Sequence, residues 1–507
     1  MSKATQARDV TALLNGAAAC YAQGRLDDAA DLYQQAAAAD PKDLRPIYSL
    51  ALIDIRRGRL ENARQQLRAV AARDPNLYPA QQNLGAVCQN LNLWQEAADA
   101  YARALRLNPT AAETHFSLAR ALTVLGRVAE SSACYRALAA DPSVRLRALT
   151  RLAMLDPAVI NEQDLTALQR AADDAATLPA ARIEAYFALG VGLEQRSADQ
   201  AAFAAFKAGN RLKHDALMAA ADLKARPDAL ERAHEIAARF VVDRFDEAFL
   251  QREAHRGSTS AAPIFVIGMP RSGSSLIEQI LSSHRGVQSM GENAALATVV
   301  DQGFSELQRE AGRGELAEAY LGLMRQRGWQ GADRFVDKTL ENHLRVGMIH
   351  LMFPKAVILD STRDPVDTCL SCYRQLFTAG NETLYDLRQI GRAYVRYRGV
   401  MEHWERVLPG RVIRVEHEKL VADPERQIRW LVADACKLDW DPVCLRFHEA
   451  QGVVRTASAA QVRRPMFLTS IGRWARFASE LEPLLKALGP YAPQPHEARV
   501  ATDSRLI

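Results

Sequence analysis

Small residues recur at a fixed interval along the first part of the chain. Ala29, Ala63, Ala97 and Ser131 lie 34 residues apart. Gly24, Gly58, Asn92 and Gly126 keep the same period, as do Tyr33, Leu67, Tyr101 and Tyr135. Each unit closes on Asp-Pro or Asn-Pro: Asp40-Pro41, Asp74-Pro75, Asn108-Pro109 and Asp141-Pro142. This pattern predicts paired helices. Small residues at the Ala29 register let two helices approach closely. Gly or Asn at the Gly24 register suits a left-handed turn between them, and proline stops the second helix. A weaker helical pair is expected over 181–213, where EAYFALGVGL and AAFAAF keep small and aromatic residues while the period drifts.

A further helical pattern runs over 228–253, and the segment HRGSTSAAP (255–263) is rich in small and turn residues. A domain boundary is expected there. The pattern then changes to short β-rich runs at 264–267, 334–336, 356–359 and 412–415, with helical stretches between them. Strands alternating with helices predict a parallel sheet covered on both faces. The expected fold is therefore multidomain. An all-α repeat solenoid occupies 1–250, with clear repeats over 10–145. A linker spans 251–262, and an α/β domain with a P-loop-like turn and a parallel sheet spans 263–507. Ligands bind beyond the carboxyl ends of such strands. Arg271, Lys338, Arg363 and His417 each follow one of the four runs, so distant segments are expected to converge on one pocket.

Composition narrows the class. A chain of 507 residues predicts two or three domains. A net charge of +4 is too small for a protein built to coat nucleic acid, yet it leaves room for a local basic pocket. Seven scattered cysteines do not read as a disulfide framework and point to a reducing, cytoplasmic setting. The first ten residues lack the apolar core of a signal peptide, and no run of eighteen apolar residues exists to span a membrane.

The segment FVIGMPRSGSSLIEQIL reads as strand, tight turn and helix, and Gly268 and Gly273 have phosphate-loop spacing. Such a turn lets backbone N–H groups surround an anion at a helix N-terminus. Ser272, Ser274 and Ser275 add hydroxyl donors. The nucleotide triphosphatase loop places lysine where Ser274 stands. Its absence weighs against ATP hydrolysis and leaves Arg271 as the loop cation, suited to a two-pronged grip on phosphate.

These residues carry two resemblances. The periodic helices resemble the tetratricopeptide repeat over about 10–145. Pro270-Arg271-Ser272-Gly273-Ser274-Ser275 resembles the 5′-phosphosulfate loop of sulfotransferases, in the branch of tyrosylprotein sulfotransferases and bacterial repeat-containing sulfotransferases. That second likeness covers about 263–480. It implies 3′-phosphoadenosine 5′-phosphosulfate as donor, with Arg271, Ser272, Gly273, Ser274 and Ser275 on its 5′ side. It also implies a grip on the 3′-phosphate by Arg363 and Ser371, which have the family's spacing of eight. Glu292 matches the family's catalytic base and Lys338 its charge-stabilising lysine. Ser458 falls at a transition-state serine, and Arg473 falls where the family has a nucleotide-contacting lysine. No metal is implied. His417 stands where relatives place tyrosine, and either a ribose-edge contact or plain packing fits it. Asp360 is read as structural, and Cys369 and Cys372 as part of a nucleotide-binding helix rather than a redox or zinc pair.

The leading expectation is a sulfotransferase acting on an acceptor hydroxyl. Peptide tyrosine, presented by the repeats, is the first acceptor, with a glycan or small-molecule hydroxyl close behind. The repeats could equally serve a homodimer or recruitment, and no nucleic-acid or membrane partner is expected. A kinase or nucleotide triphosphatase and a catalytically degenerate scaffold are the alternative classes. The missing loop lysine opposes the former, and the joint presence of Arg271, Glu292, Lys338, Arg363 and Ser371 opposes the latter.

Overall fold

The computed structural model describes residues 3–253, 257–303, 312–377, 380–449 and 471–493. Contacts group the chain into two compact units, Met1–Asp156 and Pro157–Ile507.

The first unit is a row of antiparallel helix pairs. They are Lys3–Ala22 with Leu26–Ala39, Arg45–Arg56 with Leu60–Arg73, Tyr78–Asn90 with Trp94–Leu107, and Ala112–Val124 with Val128–Leu138. Helix Arg145–Leu155 closes the row. The repeat positions explain the pairing. Ala29, Ala63, Ala97 and Ser131 have no exposed surface, so neighbouring helices meet with nothing larger than a methyl or hydroxymethyl between them. Gly85 faces the ring of Tyr101, where a Cβ would come within 2.6 Å of a ring carbon. The turns at Gly24, Gly58, Asn92 and Gly126 all adopt positive φ, from 65° to 77°. The closing Asp or Asn does more than precede a proline. Asp40, Asp74, Asn108 and Asp141 each accept the backbone N–H two residues on, at 2.9–3.3 Å. Each side chain thereby builds a local turn that carries the chain to the next pair.

The second unit begins with helices Glu162–Asp173, Pro179–Gln195, Asp199–Met218, Pro227–Arg244 and Glu247–Glu253. The pair expected over 181–213 is present as two closely packed helices. A Cβ on Gly190 would meet the Phe206 ring at 2.7 Å, and Ser197 takes the positive φ of the turn between them. The sequence places the end of the helical domain at 250, followed by a linker. Compactness divides the chain much earlier, after Asp156. The physical reason is that the later helices bury their apolar and acidic side chains on the helices of the sheet. Phe203 packs on Tyr373 and Phe477 with ring centroids 5.8 Å away in each case. Phe245 meets Trp404 edge-on, and buried Glu231 pairs with Arg392 and Arg396.

Five parallel strands follow: β1 (Pro263–Gly268), β2 (Val287–Ser289), β3 (Arg334–Asp337), β4 (Val357–Thr362) and β5 (Ile413–Glu416). Their order is β2-β3-β1-β4-β5. Four were expected. The fifth, β2, has three residues at the sheet edge, too few for alternation to register. Alternation in β1 sends Ile264 and Val266 to one face, against Ile277, Ile280 and Leu281. Phe265 and Ile267 go to the other face, in the core that holds Tyr320, Phe353 and Trp404. Helices thus cover both faces, and the central strand β1 delivers its carboxyl end between those of β3 and β4.

Candidate active site

Three neighbouring strand ends build the site. At the end of β1 the chain turns through Gly268, with φ 144°, and Arg271, with φ 69°, to Gly273, with φ 107°. Helix Ser274–Ser283 starts there. Positive φ on an arginine is strained, and here packing holds it. A Cβ on Gly268 would stand 2.7 Å from the Ser361 carbonyl oxygen, and one on Gly273 2.8 Å from Nδ1 of His417. Both glycines are therefore required by close approach as well as by conformation. The residue before the helix is Gly273, which has no side chain to cap the first turn, and a helix N-terminus is where backbone N–H groups can meet an anion. Ser272 is buried, and its Oγ has no hydrogen-bond partner among the described residues. A buried hydroxyl in a loop of amides suits a phosphate oxygen.

The end of β4 supplies the second group. Arg363 follows the strand directly, and Asp364 caps helix Pro365–Tyr373 by accepting the Asp367 N–H at 2.8 Å. Ser371 on that helix accepts from Nε of Arg271 at 3.0 Å. Nη1 of Arg363 lies 3.5 Å from the Arg271 carbonyl oxygen. Arg271, Arg363 and Ser371, expected to share a pocket, are in contact. Burial pushes the Arg271 guanidinium down to about 10, the Cys372 thiol opposes that shift, and the Arg363 charge adds to it. Cys372 donates to the Pro270 carbonyl at 3.2 Å. Burial pushes its thiol up to about 12 and holds Cys369 well above the ordinary thiol range. Neither cysteine is a ready thiolate. His417 begins the helix after β5 and leans on Gly273. Both its ring nitrogens lack partners among the described residues, and burial, then the Arg363 charge, lowers it to about 4.

The end of β3 supplies the third group. Lys338 is 1% exposed, and its ammonium pairs with the carboxylate of Glu292, whose side chain is 58% exposed. The backbone N–H of Lys338 donates to the Gly291 carbonyl at 3.0 Å. Asn293 N–H donates to Oγ1 of Thr339 at 3.0 Å. The loop carrying Glu292 is thus sewn to the end of β3. Beneath it Tyr320 donates to buried Asp337 at 2.7 Å. A second carboxylate, Glu278, lies 3.9 Å from Nζ of Lys338 and accepts from Ser289 at 2.6 Å. Burial raises Glu278, while Lys338 pulls it back down. Sequence reasoning misses Glu278. Its signal is a charged residue within the apolar stretch SSLIEQIL, one turn after Ser274, where a buried carboxylate needs a cation.

Asp360 serves as an internal anchor. Tyr397 donates to it and Arg398 lies 4.0 Å away; burial raises it to about 6. Arg473 lies against Glu194, another residue that sequence reasoning does not select. Ser458 lies outside the described residues.

A turn and helix N-terminus after β1, two arginines beside it, and a lysine between carboxylates thus lie at neighbouring strand ends of the α/β domain. Residues 263–442 match the sulfotransferase family, and residues 21–88 match the tetratricopeptide repeat. The chain is a helical tetratricopeptide-repeat region followed by a sulfotransferase domain with a five-stranded parallel sheet. An uncharacterized protein of Aquifex aeolicus (strain VF5) is 30% identical over 412 residues, covering 78% of this chain and 52% of its own length. The chain thus spans about half the length of that curated relative. Among solved structures, the sulfotransferase domain from the Synechococcus PCC 7002 olefin synthase aligns with 47% of this chain and 97% of its own, at 18% identity and a TM-score of 0.34. A thermophilic tetratricopeptide-repeat protein of Thermus thermophilus aligns with 36% of this chain and 98% of its own, at 21% identity and a TM-score of 0.25. Among the described residues no helix is long and apolar enough to cross a membrane.

Proposed function

We propose that the sulfotransferase domain moves a sulfuryl group from 3′-phosphoadenosine 5′-phosphosulfate to an acceptor hydroxyl. The observation that carries this reading is the contact of Arg271 with Ser371, and of Arg363 with the Arg271 backbone. It joins a 5′-phosphate loop to a second cationic site, as a nucleotide phosphorylated at two positions requires. The loop amides and Ser272, Gly273, Ser274 and Ser275 would hold the 5′ side, and Arg363 and Ser371 the 3′-phosphate.

Transfer forms a bond from acceptor oxygen to sulfur and breaks the bond from sulfur to the bridging oxygen, which leaves with the nucleotide. The acceptor proton goes to the carboxylate of Glu292, which is exposed enough to meet an incoming hydroxyl. Lys338, fixed between Glu278 and Glu292, places its charge where the leaving and sulfuryl oxygens become negative. Charge stabilisation is assigned to arginine, lysine and backbone amides, so turnover is expected to persist in chelator.

Peptide tyrosine is the acceptor we favour, because a repeat solenoid usually offers a peptide-binding concave face. Cytoplasmic location agrees with seven free cysteines. The direct test is transfer from labelled donor onto a fractionated lysate, followed by exhaustive proteolytic digestion of the labelled fraction, which spares the acid-labile sulfate ester. Tyrosine sulfate is the expected product. Label confined to glycan or small molecules overturns the acceptor assignment, and no transfer by the native chain overturns the activity.

A further inference from the structure

Glu194 ties the phosphate-binding helix to a helix far upstream in the chain. It lies near the end of helix Pro179–Gln195 and is 3% exposed. Its two oxygens divide between two arginines. Oε2 accepts from Nη2 of Arg374. Oε1 accepts from Nε of Arg473 at 2.8 Å and lies 2.7 Å from its Nη2. Arg374 stands three residues after Ser371, at the end of the same helix. Burial lowers its guanidinium to about 10, Glu194 opposes this, and the charges of Arg473 and Arg271 add to it. The Arg473 segment is fastened from the other side as well. Asp367, on the Ser371 helix, accepts Gly472 N–H at 2.6 Å and Trp474 N–H at 2.9 Å. Neither Glu194 nor Arg473 lies within the stretch that matches the sulfotransferase family.

A single buried carboxylate therefore faces two guanidiniums, with Arg271 near enough to feel their charge. Removing one partner of such a group leaves buried cations that repel one another. They relieve that repulsion by moving apart, and Ser371 sits among them. We infer that Glu194 is a positioning residue for the 3′-phosphate side of the site, so that helices ahead of the sheet help to assemble nucleotide binding. This rests on the donor reading above. Glu194 touches no reacting atom. It acts by holding Arg374 and Arg473 at the end of the Ser371 helix.

The test is calorimetric titration of the full chain with 3′-phosphoadenosine 5′-phosphate and with adenosine 5′-phosphate. Glu194→Gln is compared with Glu231→Gln, which breaks a different buried pair, that with Arg392 and Arg396. Glu194→Gln is expected to raise the Kd of the doubly phosphorylated nucleotide by about tenfold, a typical coupling between separated groups. It should move the Kd of adenosine 5′-phosphate much less. Glu231→Gln should lower the melting temperature and leave both affinities alone. Adding Arg473→Met to Glu194→Gln should cost less than the sum of the two changes, because they break one contact. Should Glu194→Gln not fold, Glu194→Asp carries the same comparison. Equal loss for both nucleotides, or none, with the native chain binding normally, overturns this inference alone. A native chain that binds neither nucleotide overturns the donor reading with it.

Discussion

The repeat helices and the sheet-bearing unit both use left-handed backbone, on different kinds of residue. In the repeats, positive φ falls on Gly24, Gly58, Asn92 and Gly126, one per turn at a constant register. Those residues adopt it at little cost. Beside the sheet it also falls on Arg271, a long cation in the turn after β1. Buried polar groups divide in the same way. Ser131 in the repeats donates to the Ala119 carbonyl within its own helix pair. Lys338 and Glu194 in the second unit depend on partners 46 to 279 residues away. Local preference builds the repeats. The site is assembled against local preference, and distant packing holds it there.

The largest expected effect belongs to the proposed base, Glu292, in its ion pair with Lys338. Glu292→Gln should lower turnover by about 10²–10⁴-fold, the usual contribution of a general base. Nucleotide affinity should stay unchanged in calorimetry. Unaltered turnover in that variant removes Glu292 from the mechanism. Next comes the proposed 3′-phosphate site. Arg363→Ala should weaken binding of 3′-phosphoadenosine 5′-phosphate by about 10–100-fold, as loss of a charge-assisted bidentate contact does. Binding of adenosine 5′-phosphate should change far less, and equal losses would contradict the assignment.

A change in the repeats should cost stability and spare chemistry. Ala97 is fully buried beside Ala63, Leu84 and Tyr101. Ala97→Leu should destabilise by about 1–3 kcal/mol through overpacking, read as a lower urea midpoint with unaltered nucleotide affinity. Loss of nucleotide affinity together with repeat stability would show that the two regions do not differ in this way. The smallest effect is a pH dependence. Burial raises folded Asp360 to about 6, against an unfolded value of about 3.9. Its protonated form is favoured by folding, so the stability it provides is present below about 4 and is lost as pH rises through about 6. Asp360→Asn removes that titration. The variant should gain on the native chain as pH rises from about 4 to about 7 in urea melts, and a constant difference would refute the shift.

Legibility in the sequence follows the same contrast. Repeat period, turn positions and close-packing sites are readable because each is a local preference repeated four times. The central strands are readable from apolar runs. Edge strand β2 is too short to register. The helices after Asp156 look like worn repeats in sequence, and only their packing against the sheet's helices assigns them to the second unit. Arg271, Arg363 and Ser371 stand out in the sequence through a glycine-bounded turn and a spacing of eight, and the structure brings the three into contact. Glu278 and Glu194 do not stand out. Their role depends on which buried cation they meet, and spacing along the chain carries no record of that.

In the proposed function Arg271 and Arg363 shape one site for a nucleotide phosphorylated at both ends of its ribose. Competitive titration of the native chain with 3′-phosphoadenosine 5′-phosphate and with ATP and magnesium measures this most directly. Tight binding of the former, unrelieved by excess ATP, is the predicted result. Preferential binding of ATP with magnesium would contradict it.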